Sequence, residues 1–306
     1  MTARPRVVVL STLPPVGHEL LRQQFAVEAG GQVAGAAAIV TDPSIPAGGA
    51  LLDSAGSSLQ LVANFGVGYD NIDLDAARAR GVRVTNTPGV LTNATAELAV
   101  ALMLAAGRRI AEADAAVRRD DWGRPDADEL IGRELAGATV GLVGFGRIGG
   151  RVAELLRGFE VRLLVTSRSS YAPSPGVERR DLLELLGASD FVSVHVPLTA
   201  ETRHLIDADA LAAMKRGAIL VNTSRGAVVD TTALTDALRA GHLGAAGLDV
   251  YEDEPQVPQG LRELPNTVLL PHIGSATATT RDAMARLCAD NVIAVLDGRD
   301  PPTAVV

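Results

Sequence analysis

Two series of short apolar runs, each interleaved with amphipathic segments, occupy most of the 306-residue chain. The first series predicts strands at 7–10, 36–40, 61–64 and 82–85, and the second at 139–143, 161–165, 191–194, 218–222, 245–249 and 268–270. Helical patterns lie between them, among others at 17–24, 74–80, 148–157, 208–214 and 232–240. Strands that alternate with helices form parallel sheets covered by helices. The pattern therefore predicts an α/β protein with two doubly wound parallel-sheet domains, the second with six strands.

The order of the segments predicts that one domain is inserted into the other. A single long helix is predicted from Thr92 to about Val117, a length that suits a connection between domains. The last helix, at about 278–296, begins after the second sheet is complete, so we expect it to return to the first domain. The first domain would then comprise residues 1–97 and 278–306, and the inserted domain residues 98–277.

Composition narrows the class of protein. The chain is 47% hydrophobic but only 3% aromatic, which suits aliphatic cores around buried parallel strands. Its net charge of −8 argues against a nucleic-acid partner, because such proteins carry basic patches. The longest apolar stretch, at 98–106, is far shorter than the roughly 20 residues of a membrane helix. With no signal-peptide pattern, we expect a soluble, cytoplasmic protein without a membrane partner.

A glycine-rich turn lies between the first strand and first helix of the second series. It reads Gly144-Phe145-Gly146-Arg147-Ile148-Gly149. In this context Gly144 permits a tight turn, Gly146 lets the backbone approach a pyrophosphate, and Gly149 allows the helix to pack closely on the strand. The amides of Arg147 and Ile148 then face the phosphates from a helix N-terminus. The turn predicts that the inserted domain is a Rossmann domain that binds a nicotinamide dinucleotide.

The end of the next strand bears on which dinucleotide is bound. NAD sites usually carry an acidic residue there for the ribose 2′-hydroxyl, about 20 residues after the turn. Here the strand ends in Ser167-Arg168, followed by two further serines and no carboxylate. Arg168 can pair with a 2′-phosphate and Ser167 can donate a hydrogen bond to it. We expect a preference for NADP(H); the alternative is that Arg168 faces solvent and NAD(H) is used as well.

Three polar residues follow predicted strands further along the chain: Arg225, Glu254 and His272. Ligands bind at the carboxyl ends of the strands in doubly wound sheets, so these side chains can converge on one site. The alternative interpretations are a structural ion pair for Arg225, a solvated acidic run for Glu254 and a structural role for His272. As a set they suit proton transfer beside a bound anion.

Several longer motifs resemble one family. The segment 191–255 contains HVPLTAETRHLI, MKRGAILVNTSRGAVVD and GLDVYEDEP, with NFGVGYDNID at 64–73 and PHIGSAT at 271–277. This set, in this order over nearly the whole chain, resembles the D-isomer-specific 2-hydroxyacid dehydrogenases, and PHIGSAT is similar to their glyoxylate and hydroxypyruvate reductase branch. The resemblance implies a Rossmann domain inserted into a flavodoxin-like substrate domain, and a homodimer.

The resemblance also assigns roles to residues. It implies that His272 is the acid and base, that Glu254 favours its imidazolium form, and that Arg225 binds the substrate carboxylate and carbonyl. Substrate binding would also use the amides of Val67 and Gly68, together with Ser275. Besides the glycine turn and the strand end after it, cofactor binding would use His195, Val196, Pro197, Thr202, Thr223, Ser224, Asp249 and Gly274. The implied reaction is reduction of a small 2-oxo acid to the D-2-hydroxy acid by NADPH, with NADH possible, and no metal site is expected.

One departure from the pattern of this branch leaves the substrate open. Hydroxypyruvate reductases of this branch carry a tryptophan in the loop after the long helix, where this chain has Pro125 after a lone Trp122. Hydroxypyruvate is therefore placed in doubt, and glyoxylate or a bulkier apolar 2-oxo acid remains open. Leu13-Pro14-Pro15 either lines the substrate pocket or only shapes a turn.

A second hypothesis for the whole protein is a dinucleotide sensor without turnover. A sensor would not need Arg225, Glu254 and His272.

Overall fold

The computed structural model describes residues 4–122, 130–168 and 176–306. The chain forms two compact units, Met1–Leu91 with Ser275–Val306, and Thr92–Gly274. The second unit is thus inserted into the first, and both contain a parallel sheet. The predicted fold class, two parallel-sheet α/β domains with one inserted into the other, is confirmed. The observed boundaries between the two units, at 91/92 and 274/275, lie a few residues before the predicted boundaries at 97/98 and 277/278.

The first unit is built on a five-stranded parallel sheet in the order β2-β1-β3-β4-β5. The strands are β1 (Arg6–Val9), β2 (Ala26–Ala29), β3 (Ala38–Thr41), β4 (Leu61–Asn64) and β5 (Arg83–Thr85). The helices are α1 (Pro15–Arg22), α2 (Gly49–Ala55) and α3 (Leu74–Ala79). This is the strand order of flavodoxin-like sheets. The sequence pattern did not indicate β2, because it is a largely exposed edge strand without an apolar run.

The break after Gly107 corrects the prediction of one long helix from Thr92 to Val117. The chain forms α4 (Thr92–Gly107) and α5 (Ile110–Arg118), with Arg109 between them at a left-handed φ of 53°. The carbonyl of Gly107 accepts a hydrogen bond from the amide of Arg133 at 2.7 Å. A Cβ at Gly107 would lie 3.1 Å from the Phe191 ring, so the end of α4 lies directly on the sheet. Tertiary packing stops the helix although the apolar pattern continues.

The second unit contains a seven-stranded parallel sheet in the order β12-β11-β10-β9-β6-β7-β8. The strands are β6 (Thr139–Val143), β7 (Arg162–Thr166), β8 (Val177–Arg179), β9 (Phe191–Val194), β10 (Ile219–Asn222), β11 (Ala245–Leu248) and β12 (Thr267–Leu269). The helices are α6 (Arg147–Leu156), α7 (Leu182–Ala188), α8 (Ala208–Ala213), α9 (Thr231–Arg239) and α10 (Gln259–Arg262). The prediction of six strands was wrong, because the edge strand β8 has only three residues and no apolar pattern.

Both faces of the second sheet are buried, as parallel sheets require. On one face Leu163 and Val165 of β7 pack in a core with Leu156 of α6, while Leu164 lies in a second core with Leu185 of α7. The strand order reverses between β6 and β9, and the carboxyl ends of strands at such a reversal are where α/β sheets bind ligands. The residues of the candidate active site in this unit lie at this edge of the sheet.

The final helix, α11 (Ala278–Leu296), belongs to the first unit and packs against α1, β3 and β4. Cys288 is buried in this helix. Among the described helices, none combines the length and the apolar character that crossing a membrane requires.

Candidate active site

The glycine-rich turn joins β6 to α6 at the strand-order reversal. Gly144 has a φ of 105°, and a Cβ there would lie 2.8 Å from the carbonyl carbon of His195. A Cβ at Gly149 would overlap the carbonyl of Gly144, whereas a Cβ at Gly146 would meet no atom within 4 Å. Two glycines therefore let the chain pack on itself, and the third faces open space. A backbone that leaves this space fits a pyrophosphate at Gly146.

The N-terminus of α6 also fits an anionic group. Gly146 is the N-cap, Arg147 and Ile148 are the first residues of the helix, and its first turn contains no acidic residue. The helix dipole therefore favours an anion at this end. Two polar atoms are buried and unpartnered within the described residues at the ends of the neighbouring strands: Nε2 of His195 and Oγ1 of Thr223. The residues present thus fit a dinucleotide.

The segment after β9 is held by its own polar groups. Oγ1 of Thr202 donates a hydrogen bond to the carbonyl of Pro197 at 2.6 Å and accepts one from the amide of Thr199 at 2.8 Å. Val196 is partly buried and Pro197 exposed. Burial lowers the pKa of His195 to about 4, so its ring is neutral. The predicted cofactor residues of this segment follow the strand next to the glycine turn.

The end of β7 carries basic groups. Arg168 is exposed and Ser167 partly buried, and Nη2 of Arg179 donates a hydrogen bond to the carbonyl of Ser167 at 3.1 Å. A carboxylate does lie on the adjacent strand β8, at Glu178. Its two oxygens are held by guanidinium groups, from Arg162 at 2.8 and 3.0 Å and from Arg180 at 2.8 Å. The one acidic group on β8 is therefore already paired.

Arg225 is positioned by the last residue of β10. The side-chain amide of Asn222 donates to the carbonyl of Arg225 at 2.9 Å, and its oxygen accepts from the amide and the hydroxyl of Ser224 at 3.0 and 2.9 Å. Nη1 of Arg225 donates to the carbonyl of Ser224 at 2.8 Å. These contacts fix the turn, so the partly buried guanidinium projects from a rigid loop.

The loop after β11 packs directly on the residue that follows Arg225. A Cβ on Gly226 would overlap the peptide between Tyr251 and Glu252, so only glycine allows this approach. The amide of Tyr251 donates to Oε1 of Glu254 at 2.9 Å, and the hydroxyl of Tyr251 donates to the carbonyl of Leu270 at 3.0 Å. Glu254 is thereby fixed within a turn that touches the loop of Arg225.

Glu254 and His272 form a hydrogen-bonded pair, with 2.7 Å between Oε2 and Nδ1. The pair requires the proton on Nδ1 when Glu254 is ionised, because a carboxylate only accepts. That tautomer leaves Nε2 as the ring atom that can exchange a proton with a ligand. The hydrogen bond between Oε2 and Nδ1 brings together residues from two separate strand ends.

His272 occupies an unusual backbone position that Asp249 supports. Its φ is 53°, which is uncommon for a residue other than glycine and often marks a functional site. The carbonyl of Asp249 accepts from the amide of His272 at 2.9 Å, and its carboxylate accepts from the amides of Ile273 and Gly274 at 2.7 and 2.8 Å. The hydroxyl of Thr95 donates to the carbonyl of Gly274 at 3.1 Å. The buried Asp249 therefore holds three successive amides in place.

The pKa values of the two carboxyl groups near His272 are shifted in opposite directions. Burial alone would raise the pKa of Glu254, but the hydrogen bond to His272, the amide of Tyr251 and the charge of Arg225 hold it below its usual value. Burial raises the pKa of Asp249 despite its amide donors. Glu254 therefore stays ionised beside the imidazole, and Arg225 is near enough to contribute.

In the first unit, the loop after β4 presents backbone amides. The side-chain amide of Asn86 donates to the carbonyl of Val67 at 2.8 Å, and that of Asn64 donates to the carbonyl of Gly68 at 2.6 Å. Within the described part of the chain, the amides of Val67 and Gly68 themselves donate to no other group. Both carbonyls are thus held by hydrogen bonds, while both backbone amides remain available as donors.

Comparison with known proteins places this geometry in a family. The family model for the NAD-binding domain of D-isomer-specific 2-hydroxyacid dehydrogenases matches residues 100–274. The glyoxylate reductase of Thermococcus litoralis is 44% identical, over 99% of this chain and 97% of that protein. The chain belongs to the D-isomer-specific 2-hydroxyacid dehydrogenase family. It is accordingly an oxidoreductase that uses a nicotinamide dinucleotide.

Solved structures agree with membership of the 2-hydroxyacid dehydrogenase family. A protein from Thermus thermophilus has a TM-score of 0.91 and 46% identity, covering 98% of this chain and 100% of its own. An NADPH-dependent glyoxylate/hydroxypyruvate reductase from Sinorhizobium meliloti, in complex with NADP and malonate, has a TM-score of 0.91 and 37% identity, covering 99% and 97%. The predicted resemblance, the enzyme class and the fold are therefore confirmed.

Other sequence-based expectations for this 2-hydroxyacid dehydrogenase stay predictions. Pro125 lies outside the described residues, whereas Trp122 is 63% exposed. Ser275 is partly buried and its carbonyl accepts from the amide of Thr277 at 2.9 Å. Pro14 and Pro15 form the N-terminus of α1, which agrees with the interpretation that they shape a turn. Within the described ranges, no three histidine, cysteine or acidic residues come together as metal ligands.

Three asparagines that support the loops of the site were not predicted from the sequence. Asn64, Asn86 and Asn222 each use a side-chain amide to hold a carbonyl of a predicted site loop. Asn64 and Asn222 are the last residues of strands β4 and β10. A polar residue that ends an otherwise apolar strand was the available signal. Asn86 gave no comparable signal, since its partner lies in a different loop.

Proposed function

We propose that this enzyme reduces a small 2-oxo acid, with glyoxylate as the first candidate, to the D-2-hydroxy acid at the expense of NADPH. The observation that carries the proposal is the 2.7 Å hydrogen bond between Glu254 and Nδ1 of His272, with Arg225 close enough to affect the charge of Glu254. This arrangement leaves Nε2, the other ring nitrogen of His272, available for proton transfer. The names of the Thermococcus and Sinorhizobium relatives support glyoxylate as the substrate.

Each residue then has one task. When bound, NADPH would supply the hydride for the carbonyl carbon of the acid. Nε2 of protonated His272 donates its proton to the carbonyl oxygen, and Glu254 stabilises the imidazolium until that transfer. Arg225 holds the carboxylate and polarises the carbonyl through its planar donor fork. In the first unit, the amides of Val67 and Gly68 bind the carboxylate, and Ser275 completes substrate binding.

The cofactor residues are assigned on the same basis. The backbone of Gly144, Gly146 and Gly149, with the amides at the start of α6, would hold the pyrophosphate. The other residues proposed to contact the dinucleotide are Arg147, Ile148, His195, Val196, Pro197, Thr202, Thr223, Ser224, Asp249 and Gly274. The buried, unpartnered atoms of His195 and Thr223 favour this assignment, because buried polar atoms are rarely left unpaired in a ligand-bound state.

The end of β7 supports NADP(H) over NAD(H). Arg168 is exposed there, and Arg179 reaches the carbonyl of Ser167 from the neighbouring strand. The acidic group on β8, Glu178, is held by two arginines and so is not available to repel a phosphate. A 2′-phosphate would therefore meet positive charge and a serine hydroxyl at this end of the sheet.

The cofactor proposal is tested with Arg168→Asp. Charge-assisted hydrogen bonds contribute about 1.5–3 kcal/mol, so the ratio of kcat/KM for NADPH over NADH should fall by about tenfold to a hundredfold. Arg157→Asp is the matched control, because it makes the same charge change at the exposed C-terminal end of α6. An unchanged ratio in Arg168→Asp, or an equal change in the control, would contradict the proposal that Arg168 determines a preference for NADP(H).

The substrate is tested with a panel of 2-oxo acids, from glyoxylate and hydroxypyruvate to bulkier apolar acids, against NADPH and NADH. The expected result is the highest kcat/KM with glyoxylate and NADPH, and oxidation of D- but not L-2-hydroxy acids in reverse. Tight binding of NADPH without turnover of any acid would instead support a dinucleotide sensor. The His272–Glu254 pair argues against a sensor, because binding alone needs no proton donor.

We also propose that the chain forms a homodimer through α5. This helix has no buried residue, and it exposes Ile110 and Val117 to 51% and 54%. The two residues are seven apart and so lie on one face of the helix. Light scattering of Ile110→Glu/Val117→Glu should show a monomer where the unmodified protein shows a dimer, with Leu183→Glu, at an exposed hydrophobic residue outside α5, remaining dimeric. A monomeric unmodified protein would refute the proposal.

A further inference from the structure

Three acidic residues follow one another in the loop after β11, and the structure gives each a different environment. Glu254 holds His272, as described above. Asp253 is exposed, and within the described residues its carboxylate accepts no hydrogen bond. Oε1 of Glu252 accepts from Nη2 of Arg203 and contacts Nε2 of His204, both at 2.8 Å, and the Glu252 side chain is only 22% exposed. Glu252 is therefore fixed by two side chains from another segment.

The segment that supplies Arg203 and His204 is itself attached to the loop of Arg225. The amide of His204 donates to the carbonyl of Ala227 at 2.8 Å. Ile206 continues the attachment as a parallel bridge beside Val229, with its amide 3.1 Å from the carbonyl of Val228. The backbone of the 203–206 segment is thus bonded to the chain that follows Arg225, while its side chains are bonded to Glu252.

His204 adopts a strained conformation in making these contacts. Its φ is 51°, and a residue other than glycine keeps such a position only where the surrounding structure enforces it. Nδ1 of the ring lies 4.0 Å from Oδ2 of Asp230 on the far side from Glu252. The imidazole therefore lies between two carboxylates.

We propose that Arg203, His204 and Glu252 form a positioning clamp that keeps Glu254 in register with Arg225 and so aligns His272. The proposal rests on the proposed function, because it concerns the same proton-transfer pair. None of the three residues touches the reacting atoms in this scheme. They act through the peptide between Tyr251 and Glu252, which packs on Gly226, and through the amide of Tyr251, which donates to Glu254.

The clamp is tested first by kinetics of Glu252→Gln, which keeps the size of the side chain and removes its charge. Because a small misplacement of a catalytic group can cost up to about a hundredfold in rate, we expect kcat to fall about fivefold while KM and the Kd for NADPH change less than about twofold. Asp253→Asn is the matched control, one residue away in the same acidic run, and should leave kcat unchanged. An unchanged kcat in Glu252→Gln would overturn the proposal.

A double-mutant cycle separates positioning from a merely structural role. If Glu252 acts through Glu254, adding Glu252→Gln to Glu254→Gln should lower kcat no further. Independent, additive losses would overturn the proposal. Restoration provides a second check: Arg203→Lys keeps a charged donor and should retain kcat, whereas Arg203→Met should lower it as Glu252→Gln does. Equal losses in both arginine variants would contradict the clamp.

A spectroscopic readout distinguishes failure of the clamp from failure of the proposed function. The Nδ1 proton of His272, hydrogen-bonded to Glu254, should give a downfield proton signal in 15N-histidine-labelled protein, assigned by its absence in His272→Gln. Glu252→Gln should shift or broaden this signal, and Asp253→Asn should not. This result is independent of which acid is reduced. A signal unchanged in Glu252→Gln would overturn the clamp even if glyoxylate is a good substrate.

Discussion

The dinucleotide turn and the His272–Glu254 pair lie at the same edge of one sheet but are built by different means. The turn uses backbone groups within six consecutive residues, and its shape depends on where a Cβ fits and where it does not. The pair uses side chains from two loops, oriented by Asp249, Tyr251 and the close contact at Gly226. Binding of the cofactor should therefore be sensitive to steric changes, and proton transfer to changes in hydrogen bonding.

The largest expected effect is a loss of chemistry without a loss of binding. His272→Gln keeps a polar side chain but removes the group that can exchange a proton. General acid–base catalysis contributes about 10²- to 10⁴-fold, so kcat should fall within that range while the Kd for NADPH is unchanged. His242→Gln is the control, since that ring contacts the carbonyl of Leu211 and no predicted site residue. Weakened NADPH binding in His272→Gln would show that cofactor binding by the turn and proton transfer by the pair are not independent.

The opposite case is a loss of binding from one added methyl group. Gly144→Ala places a Cβ 2.8–2.9 Å from the backbone of His195 and Val196, at a φ of 105° that alanine rarely adopts. Strain of about 1–3 kcal/mol would weaken NADPH binding by about 5- to 150-fold, measured by fluorescence titration. Gly150→Ala adds the same methyl group where no atom lies within 4 Å, and it should bind NADPH normally. Equal affinities in both variants would contradict the steric account.

Glu254→Gln is expected to give a smaller, pH-dependent effect. Loss of one charge-assisted hydrogen bond should lower kcat about tenfold near neutral pH. The pKa of Glu254 is held below its usual value, so in the unmodified enzyme the carboxylate persists as pH falls and is lost only below the ordinary carboxyl range. Glutamine is neutral at every pH, so the difference in kcat between the two enzymes should persist as pH falls and should shrink only where Glu254 of the unmodified enzyme becomes protonated. Superimposable pH profiles would show that Glu254 is not the partner that matters.

The same contrast explains what the sequence could predict. The turn is local: strand, glycines and helix follow one another, so its context is readable from a short window, and β6 has the predicted bounds of 139–143. Glu254 and His272 could be proposed because each follows a strand, and strand ends of a parallel sheet share an edge. Their hydrogen bond, and the roles of Asn222 and Gly226 behind Arg225, depend on contacts between loops that no local pattern records.

The wrong predictions have physical causes of the same kind. The apolar pattern from Thr92 continues to Val117, yet the helix stops at Gly107 because that residue packs on Phe191. The strand β8 has no apolar alternation, and it is held in the sheet by pairing with β7 and by the ion pairs of Glu178. In both places a contact with a distant segment outweighed the local pattern, as is common where propensity is weak.

Asp190 lies at the opposite edge of the same sheet and contrasts with the glycine turn and the His272–Glu254 pair. It precedes β9, and its carboxylate accepts from the amide of Thr139 at 2.9 Å, from Arg133 at 2.6 Å and from Lys215 at 3.2 Å. Burial alone would raise the pKa of Asp190, but these donors lower it overall. The group therefore ties three segments together at the amino ends of strands, away from both the glycine turn and the acid–base pair.

Asp190→Asn should accordingly change stability and leave the chemistry of the folded enzyme intact. Because the pKa of Asp190 is lowered by folding, its contribution is present above its unfolded pKa of about 3.9 and is lost as pH falls through the folded value. We expect the free energy of unfolding to drop by about 1–3 kcal/mol at pH 7, measured by urea denaturation, with the difference shrinking toward pH 3. Asp181→Asn, at an exposed N-cap without a side-chain hydrogen bond, should be neutral. A fall in kcat per folded molecule would mean that the two edges of the sheet are coupled, and the separation drawn between binding, chemistry and stability would not hold.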